Sequence, residues 1–347
     1  MPALTPLPPQ PADVPWPTGE WEDTEPPPGV DGEALQKLLD ATFAEPQPPT
    51  TVQTNDLLIV HRGRIVAERY AQGVGPDDVQ PSWSMAKSIL QAAVGVLVRD
   101  GKLDIAAPAA VPEWQEPGDA RAQITLDSLL HMTSGLRFAE DYVDAGVSDV
   151  IEMLFQPGAD DTAAFAAAFP QDHPPDTVFN YSSGTSNIIS GIVKRIVGAG
   201  DEYVEFLRRE LFDRIGMTTA TPTCDNSGAW VASSYCFATP RDFARFGLLY
   251  MRDGVWDGQR ILPEGWVDYA RTPAPRQPAE DERGYGAHWW LWEDGLGTFL
   301  AGGYVGQMIY VVPALDLILV RNGNTPVERR LHMVRLHRQI IDLFRSA

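Results

Sequence analysis

A chain of 347 residues, 44% hydrophobic and 21% charged, carries enough apolar material for one large domain or two smaller ones. Its formal net charge of −20 argues against a nucleic-acid partner, whose phosphates need a basic surface. It holds no run of about 18 apolar residues, so no segment is expected to cross a membrane.

Met1-Pro2-Ala3-Leu4-Thr5-Pro6 lacks the basic and apolar regions of a signal peptide, and a cytoplasmic location is expected. The two cysteines, Cys224 and Cys236, are too few for a disulfide framework and are expected as thiols. Residues 1–50 contain 13 of the 30 prolines. Such a segment cannot form a packed element alone. It reads as an extended arm anchored by Trp16 and Trp21, interrupted by a helix over 32–43, where Leu35, Leu38, Leu39 and Phe43 recur at helical spacing.

Two β-rich runs, 56–61 and 64–70, are joined by Arg62-Gly63 and predict a hairpin. A loop over 73–78 leads to Pro81-Ser82-Trp83-Ser84-Met85-Ala86-Lys87-Ser88-Ile89, the mouth of an apolar helix that runs to Asp100-Gly101. A short capped helix is predicted within 124–136. Mainly helical sequence follows, with candidates at 148–155, 162–169, 185–197, 202–215 and 240–253. Strands return at 286–293, 298–301, 307–312 and 315–322, and a last helix covers 327–344. The pattern implies an α+β fold, with an antiparallel sheet built from the N-terminal hairpin and the C-terminal strands and covered by the terminal helices. The expected division is an arm (1–50), a sheet domain (51–115 with 276–347) and an inserted helical domain (116–275). The Ser84 helix lies between the last two, where pockets tend to form.

Ser84 and Lys87 are three residues apart and share one face of a helix. A serine hydroxyl needs a neighbouring base before it attacks a carbonyl. A lysine buried at an apolar helix start can lose its proton and become that base. A helix cap with a solvent-reaching lysine would leave the same spacing. A hydrolase of this type also needs a proton donor. Tyr181, in Phe179-Asn180-Tyr181-Ser182-Ser183-Gly184-Thr185, is the candidate, on the expectation that a nearby lysine cation lowers its pKa. A tyrosine packed in a turn is the alternative.

Four motifs occur in order: Ser84-x-x-Lys87, Leu129-Leu130-His131-Met132-Thr133-Ser134-Gly135-Leu136, Tyr181-Ser182-Ser183 and Gly302-Gly303-Tyr304-Val305-Gly306-Gln307. Together they resemble the serine hydrolases of the class C β-lactamase, penicillin-binding protein and esterase superfamily, over roughly residues 50–345. Within it the chain is most similar to the 6-aminohexanoate-dimer hydrolase branch, through Glu140-Asp141-Tyr142-Val143-Asp144 and Gly306-Gln307. The resemblance implies a β-lactamase-like fold, Ser84 as nucleophile, Lys87 as base and Tyr181 as proton donor. It implies an oxyanion hole from the Ser84 and Tyr304 amides. Tyr142, Ser183, Ala301 and Gly303 would contact substrate. No metal or other cofactor is implied, and the partner is a small ester or amide.

The chain departs from the superfamily pattern in two places. Ser183 stands where class C enzymes have asparagine, and Ala301-Gly302-Gly303 stands at the Lys-Thr-Gly position. With no cation at that position, β-lactam turnover is expected to be poor and ester or linear amide hydrolysis favoured. A true β-lactamase or peptidase, or a silent binding protein on the same fold, is the alternative. The chain has no Gly-x-Ser-x-Gly and no His-Glu-x-x-His, which disfavours an α/β-hydrolase and a zinc protease.

Overall fold

The computed structural model describes residues 3–44, 53–141, 148–279 and 283–346. The α-helices are α1 (Gly32–Phe43), α2 (Met85–Arg99), α3 (Leu126–Leu130), α4 (Asp149–Phe155), α5 (Thr162–Ala167), α6 (Ser183–Val197), α7 (Asp201–Leu207), α8 (Pro240–Met251), α9 (Trp266–Ala270) and α10 (Arg330–Leu343). The main sheet contains β1 (Gln53–His61), β2 (Arg64–Tyr70), β3 (Gly284–Tyr285), β4 (Trp290–Leu291), β5 (Phe299–Gly302), β6 (Met308–Val312) and β7 (Leu317–Asn324). The order across it is β2-β1-β7-β6-β5-β4-β3, antiparallel throughout. Its hairpin turn places both Arg62 (φ 51°) and Gly63 (φ 81°) at positive φ, the geometry that matches the twist of the flanking strands.

Side chains alternate between the two faces of the sheet. Leu57, Ile59, Tyr310, Leu317 and Leu319 face α1 and α10, packing with Leu35, Leu39, Met333, Ile340 and Ile341. Leu58, Val60, Ile309, Val311, Ile318 and Val320 point the other way, into the core that holds α2 and α8. α2 is buried along almost its whole length, so its N-terminus is held rigidly from the helical side and the sheet side at once.

Three predicted elements are shorter or differently wound. The helix predicted over 202–215 is α only to Leu207, then widens to a π turn (Arg208–Phe212) and tightens to a 3₁₀ turn (Asp213–Ile215). Arg208 turns its guanidinium to the Thr218 and Ala220 carbonyls here, a tertiary tie with no local periodicity. The helix predicted within 124–136 covers only Leu126–Leu130, capped by the Thr125 hydroxyl. The strand predicted over 286–293 is broken between β3 and β4. A Cβ at Gly286 would lie 2.1 Å from the Ala270 carbonyl oxygen, and His288 takes φ 58°. The buried His288 ring is fixed between the Leu130 carbonyl (2.8 Å) and the Ser186 hydroxyl (3.0 Å).

The proline-rich segment lies along the body of the protein. Trp16 packs on Trp256 with ring centroids 5.0 Å apart, and the Trp21 indole donates to the Arg241 carbonyl. Asp23 forms a parallel bridge with Ile65, covering part of the β2 edge. Arg252 and Arg271 donate to the Pro8 and Thr5 carbonyls. Arg245, 7% exposed, donates to the Pro17 and Gly19 carbonyls and pairs with Asp242 at 2.8 Å. Arg245→Ala would strand those acceptors and leave a buried carboxylate without its cation. A loss of about 3 kcal/mol is expected in urea unfolding; a change below about 0.5 kcal/mol would mean that the Arg245 contacts add nothing to stability. Among the described residues no helix is long and apolar enough to cross a membrane.

Candidate active site

The turn before α2 is tied down on its far side. Gln80–Pro81 pairs with the strand Cys236–Ala238, and Ser82 exchanges two hydrogen bonds with Cys236, its amide donating (2.8 Å) and its hydroxyl accepting (3.1 Å). Trp83 is then held at φ 45°, a costly conformation for a bulky residue that persists only where its surroundings enforce it. Ser84 follows as the N-cap of α2, yet its hydroxyl makes no capping bond. It faces Lys87.

Lys87 is 1% exposed, so it does not reach to solvent. Its Nζ lies 3.0 Å from each of three oxygens: Ser84 Oγ, Ser183 Oγ and the Ser233 carbonyl. Burial lowers its pKa to about 8, while the Glu140 carboxylate pulls the other way. Burial thus brings the neutral amine within reach near neutral pH.

Tyr181 precedes α6, whose N-cap Ser182 accepts from the Thr185 amide. Its ring stacks on Trp290 (5.2 Å, 30°) and stands edge-on to Tyr285. Lys87 Nζ lies 5.0 Å from the ring centroid. The expectation of a lowered phenol pKa is corrected here. Burial and the Glu140 charge push it up, against a smaller opposing effect of the hydrogen bond with the Ser84 side chain. Tyr181 is thus a neutral phenol that keeps its proton to give.

The third wall comes from the turn after β5. A Cβ on Gly303 would stand 2.4 Å from the Ser82 carbonyl oxygen, so only glycine lets this turn lie against the Ser84 turn. Tyr304 meets Trp83 edge-on at 5.5 Å. Gln307 braces the turn from behind: its amide nitrogen donates to the Tyr304 and Gly323 carbonyls, and its oxygen accepts from the Gly323 amide. The fully buried Arg321 donates to the Val305 and Gly306 carbonyls.

These pieces enclose a cleft of about 170 Å³. Ser84, Tyr181, Gly303 and Tyr304 line it, with Trp290 and Met308 as apolar walls. Ser183 and Ala301 do not. Ser183 is fully buried behind Lys87, and Ala301 is 1% exposed in the core. Tyr142 lies outside the described residues. Trp289 and Trp292 are core residues on opposite faces of the sheet. The three charged lining residues of the cleft had no role in the sequence reading: Glu140, Arg283 and Arg330. The Lys-Thr-Gly position brings no cation, but the cleft is not without positive charge. Arg283, stacked 3.8 Å over the Trp290 ring, and Arg330, opening α10, bring positive charge from segments the Lys-Thr-Gly position does not touch. Ser233 was also missed, since a backbone carbonyl has no sequence signal. For Glu140 the one cue was its place beside Tyr142 in the quoted stretch.

Burial holds the His288 imidazole down to about 3 and pushes the Cys224 and Cys236 thiols up to about 11 and 12. Among the described residues no group of three or more His, Cys, Asp or Glu side chains could hold a metal ion.

A model of the Beta-lactamase family matches residues 50–340. The chain belongs to the Beta-lactamase family. This is a hydrolase family whose fold is the antiparallel sheet and helical layer described above. The chain is similar to a 6-aminohexanoate-dimer hydrolase of Paenarthrobacter ureafaciens, 28% identical over 292 residues, covering 79% of this chain and 73% of that protein. Among solved structures it is similar to a putative 6-aminohexanoate-dimer hydrolase from Bacillus anthracis (TM-score 0.75, 21% identity, 99% of this chain and 90% of that one). A family VIII carboxylesterase shares the fold at a TM-score of 0.67 and 15% identity, over 92% and 99% of the two chains.

Proposed function

We propose that this Beta-lactamase family member is a serine hydrolase of short esters and linear amides that works through an acyl-enzyme. The observation that carries the reading is the 3.0 Å contact between Ser84 Oγ and a buried Lys87 whose pKa is lowered to about 8. Ser84 Oγ attacks the substrate carbonyl while its proton passes to neutral Lys87. Amides of Ser84 and Tyr304, on two walls of the cleft, stabilise the oxyanion. Tyr181 gives its proton to the leaving amine or alkoxide and is reprotonated from the Lys87 ammonium. Water then attacks the acyl-Ser84 ester by the same steps in reverse, releasing the acid and restoring Ser84.

The apolar walls suit the methylene chain of a linear acyl group. Arg283 and Arg330 among the lining residues suit a substrate that carries a carboxylate at one end. The similarity to 6-aminohexanoate-dimer hydrolase supports the same class. The two arginines also favour a second reading, a β-lactam held by its carboxylate.

One preparation assayed on p-nitrophenyl butyrate, 6-aminohexanoate dimer and nitrocefin separates these readings. The ester and the linear amide are expected to exceed nitrocefin in kcat/KM. Nitrocefin turnover at about 10⁴ M⁻¹s⁻¹ or more, with the other two near background, would establish the second reading instead. A silent binding protein would resist fluorophosphonate labelling, which is expected to modify Ser84.

A further inference from the structure

The base in this site has a direction as well as a pKa, and two residues outside the Ser84–Lys87–Tyr181 trio set it. Lys87 Nζ has three oxygen neighbours at 3.0 Å. A neutral amine has two N–H donors and one lone pair, so one contact must reverse its direction when the ammonium loses a proton. The Ser233 carbonyl can only accept. The two hydroxyls, on Ser84 and Ser183, compete for the lone pair. If Ser183 wins, its proton caps the base and Lys87 donates to Ser84, which is the wrong polarity for attack.

Glu140 removes that competitor. Its Oε1 accepts from Ser183 Oγ at 2.6 Å and its Oε2 accepts from the Ser183 amide at 2.8 Å. A carboxylate cannot donate, and the amide cannot accept, so the Ser183 proton is committed to Glu140. Ser183 then offers Lys87 only a lone pair. Lys87 spends its two N–H groups on Ser183 Oγ and the Ser233 carbonyl, and its own lone pair is left facing Ser84.

We infer that Glu140 is a positioning residue, which through Ser183 directs the lone pair of Lys87 at the Ser84 hydroxyl. The inference rests on the reading of Lys87 as the base. It also accounts for a serine at the position where class C enzymes have asparagine: Ser183 is a switchable hydroxyl that Glu140 locks.

The test is a set of variants on p-nitrophenyl acetate, a neutral substrate that needs no charged contact. In Glu140→Gln the side-chain oxygen must take the Ser183 amide, so the NH₂ group faces Ser183 Oγ and donates to it. The Ser183 proton turns to Lys87. kcat is expected to fall about 10²-fold, at the lower end of what general-base assistance contributes, with KM changed less than about threefold. The pH midpoint of kcat/KM should move down, because the negative charge facing Lys87 is gone. The other titratable groups near Lys87, Tyr181 and His288, are unchanged.

Ser183→Ala removes the competing hydroxyl and is expected to cost less than about tenfold. The double variant Glu140→Gln/Ser183→Ala should therefore be more active than Glu140→Gln alone. A purely structural Glu140 would make the double variant equal or worse, and that result overturns the inference. So does Glu140→Gln with unchanged kcat and pH midpoint. If Glu140→Gln fails to fold by circular dichroism, Ser183→Ala decides: a loss as large as that of Lys87→Ala overturns the inference. Should Lys87→Ala itself retain activity, the base reading fails, a result distinct from every outcome above.

Discussion

Ser84→Ala is expected to lower kcat by about 10⁶ on the best substrate while the protein stays folded. The large figure follows from the way the site is assembled. Lys87 has a lowered pKa, and Tyr181 is hydrogen-bonded to the Ser84 side chain. Neither group has a nucleophile to serve once the Ser84 oxygen is gone, so the whole unit is lost with one atom. The fold should survive, because the Ser84 hydroxyl makes no capping bond to α2 and Ser82 anchors the turn. Single-turnover kinetics on p-nitrophenyl butyrate, with circular dichroism as a control, checks both halves. Retention of more than a few percent of activity would remove Ser84 from the nucleophile role.

Lys87→Ala and Tyr181→Phe are each expected to lower kcat by about 10²–10⁴. The two losses should combine to less than their sum, since one proton path runs through both groups. Full additivity would make Tyr181 a structural ring stacked on Trp290 and nothing more. The pH dependence gives a second readout with a definite sign. Lys87 acts as base only without its proton, and burial has lowered its pKa to about 8. In the wild type, kcat/KM should climb about tenfold per pH unit below that value and level off above it. Tyr181 does not add a falling limb in the same range, because its pKa is raised. Lys87→Ala should lose the inflection near pH 8. Its persistence in that variant would assign the titration to another group.

Much of the site was legible because its chemistry is local. Ser84 and Lys87 sit one helical turn apart, and no tertiary information is needed to place them on one face. Tyr181 and the Gly302–Gln307 run were recognisable as short motifs, since each is a turn whose residues act together. The hairpin at Arg62-Gly63 and the period-2 strands around it were legible for the same reason: pattern and turn chemistry are properties of neighbouring residues.

What the sequence by itself determined is therefore the α+β pattern, the family and the candidate trio of side chains. The tertiary structure alone decided how those side chains behave. The buried position of Lys87 sets its pKa, and that burial comes from elements up to 146 residues away. Tyr181 lies close to a lysine, yet desolvation and the Glu140 charge outweigh the Ser84 hydrogen bond and the Arg283 and Arg330 charges, and its pKa rises rather than falls. Ser183 and Ala301 hold motif positions, but the packing of α6 and β5 turns them away from the cleft. Arg283, Arg330 and Glu140 enter it from three separate segments with no shared spacing. Charge balance and exposure depend on distances through space, whereas a sequence reports only distances along the chain.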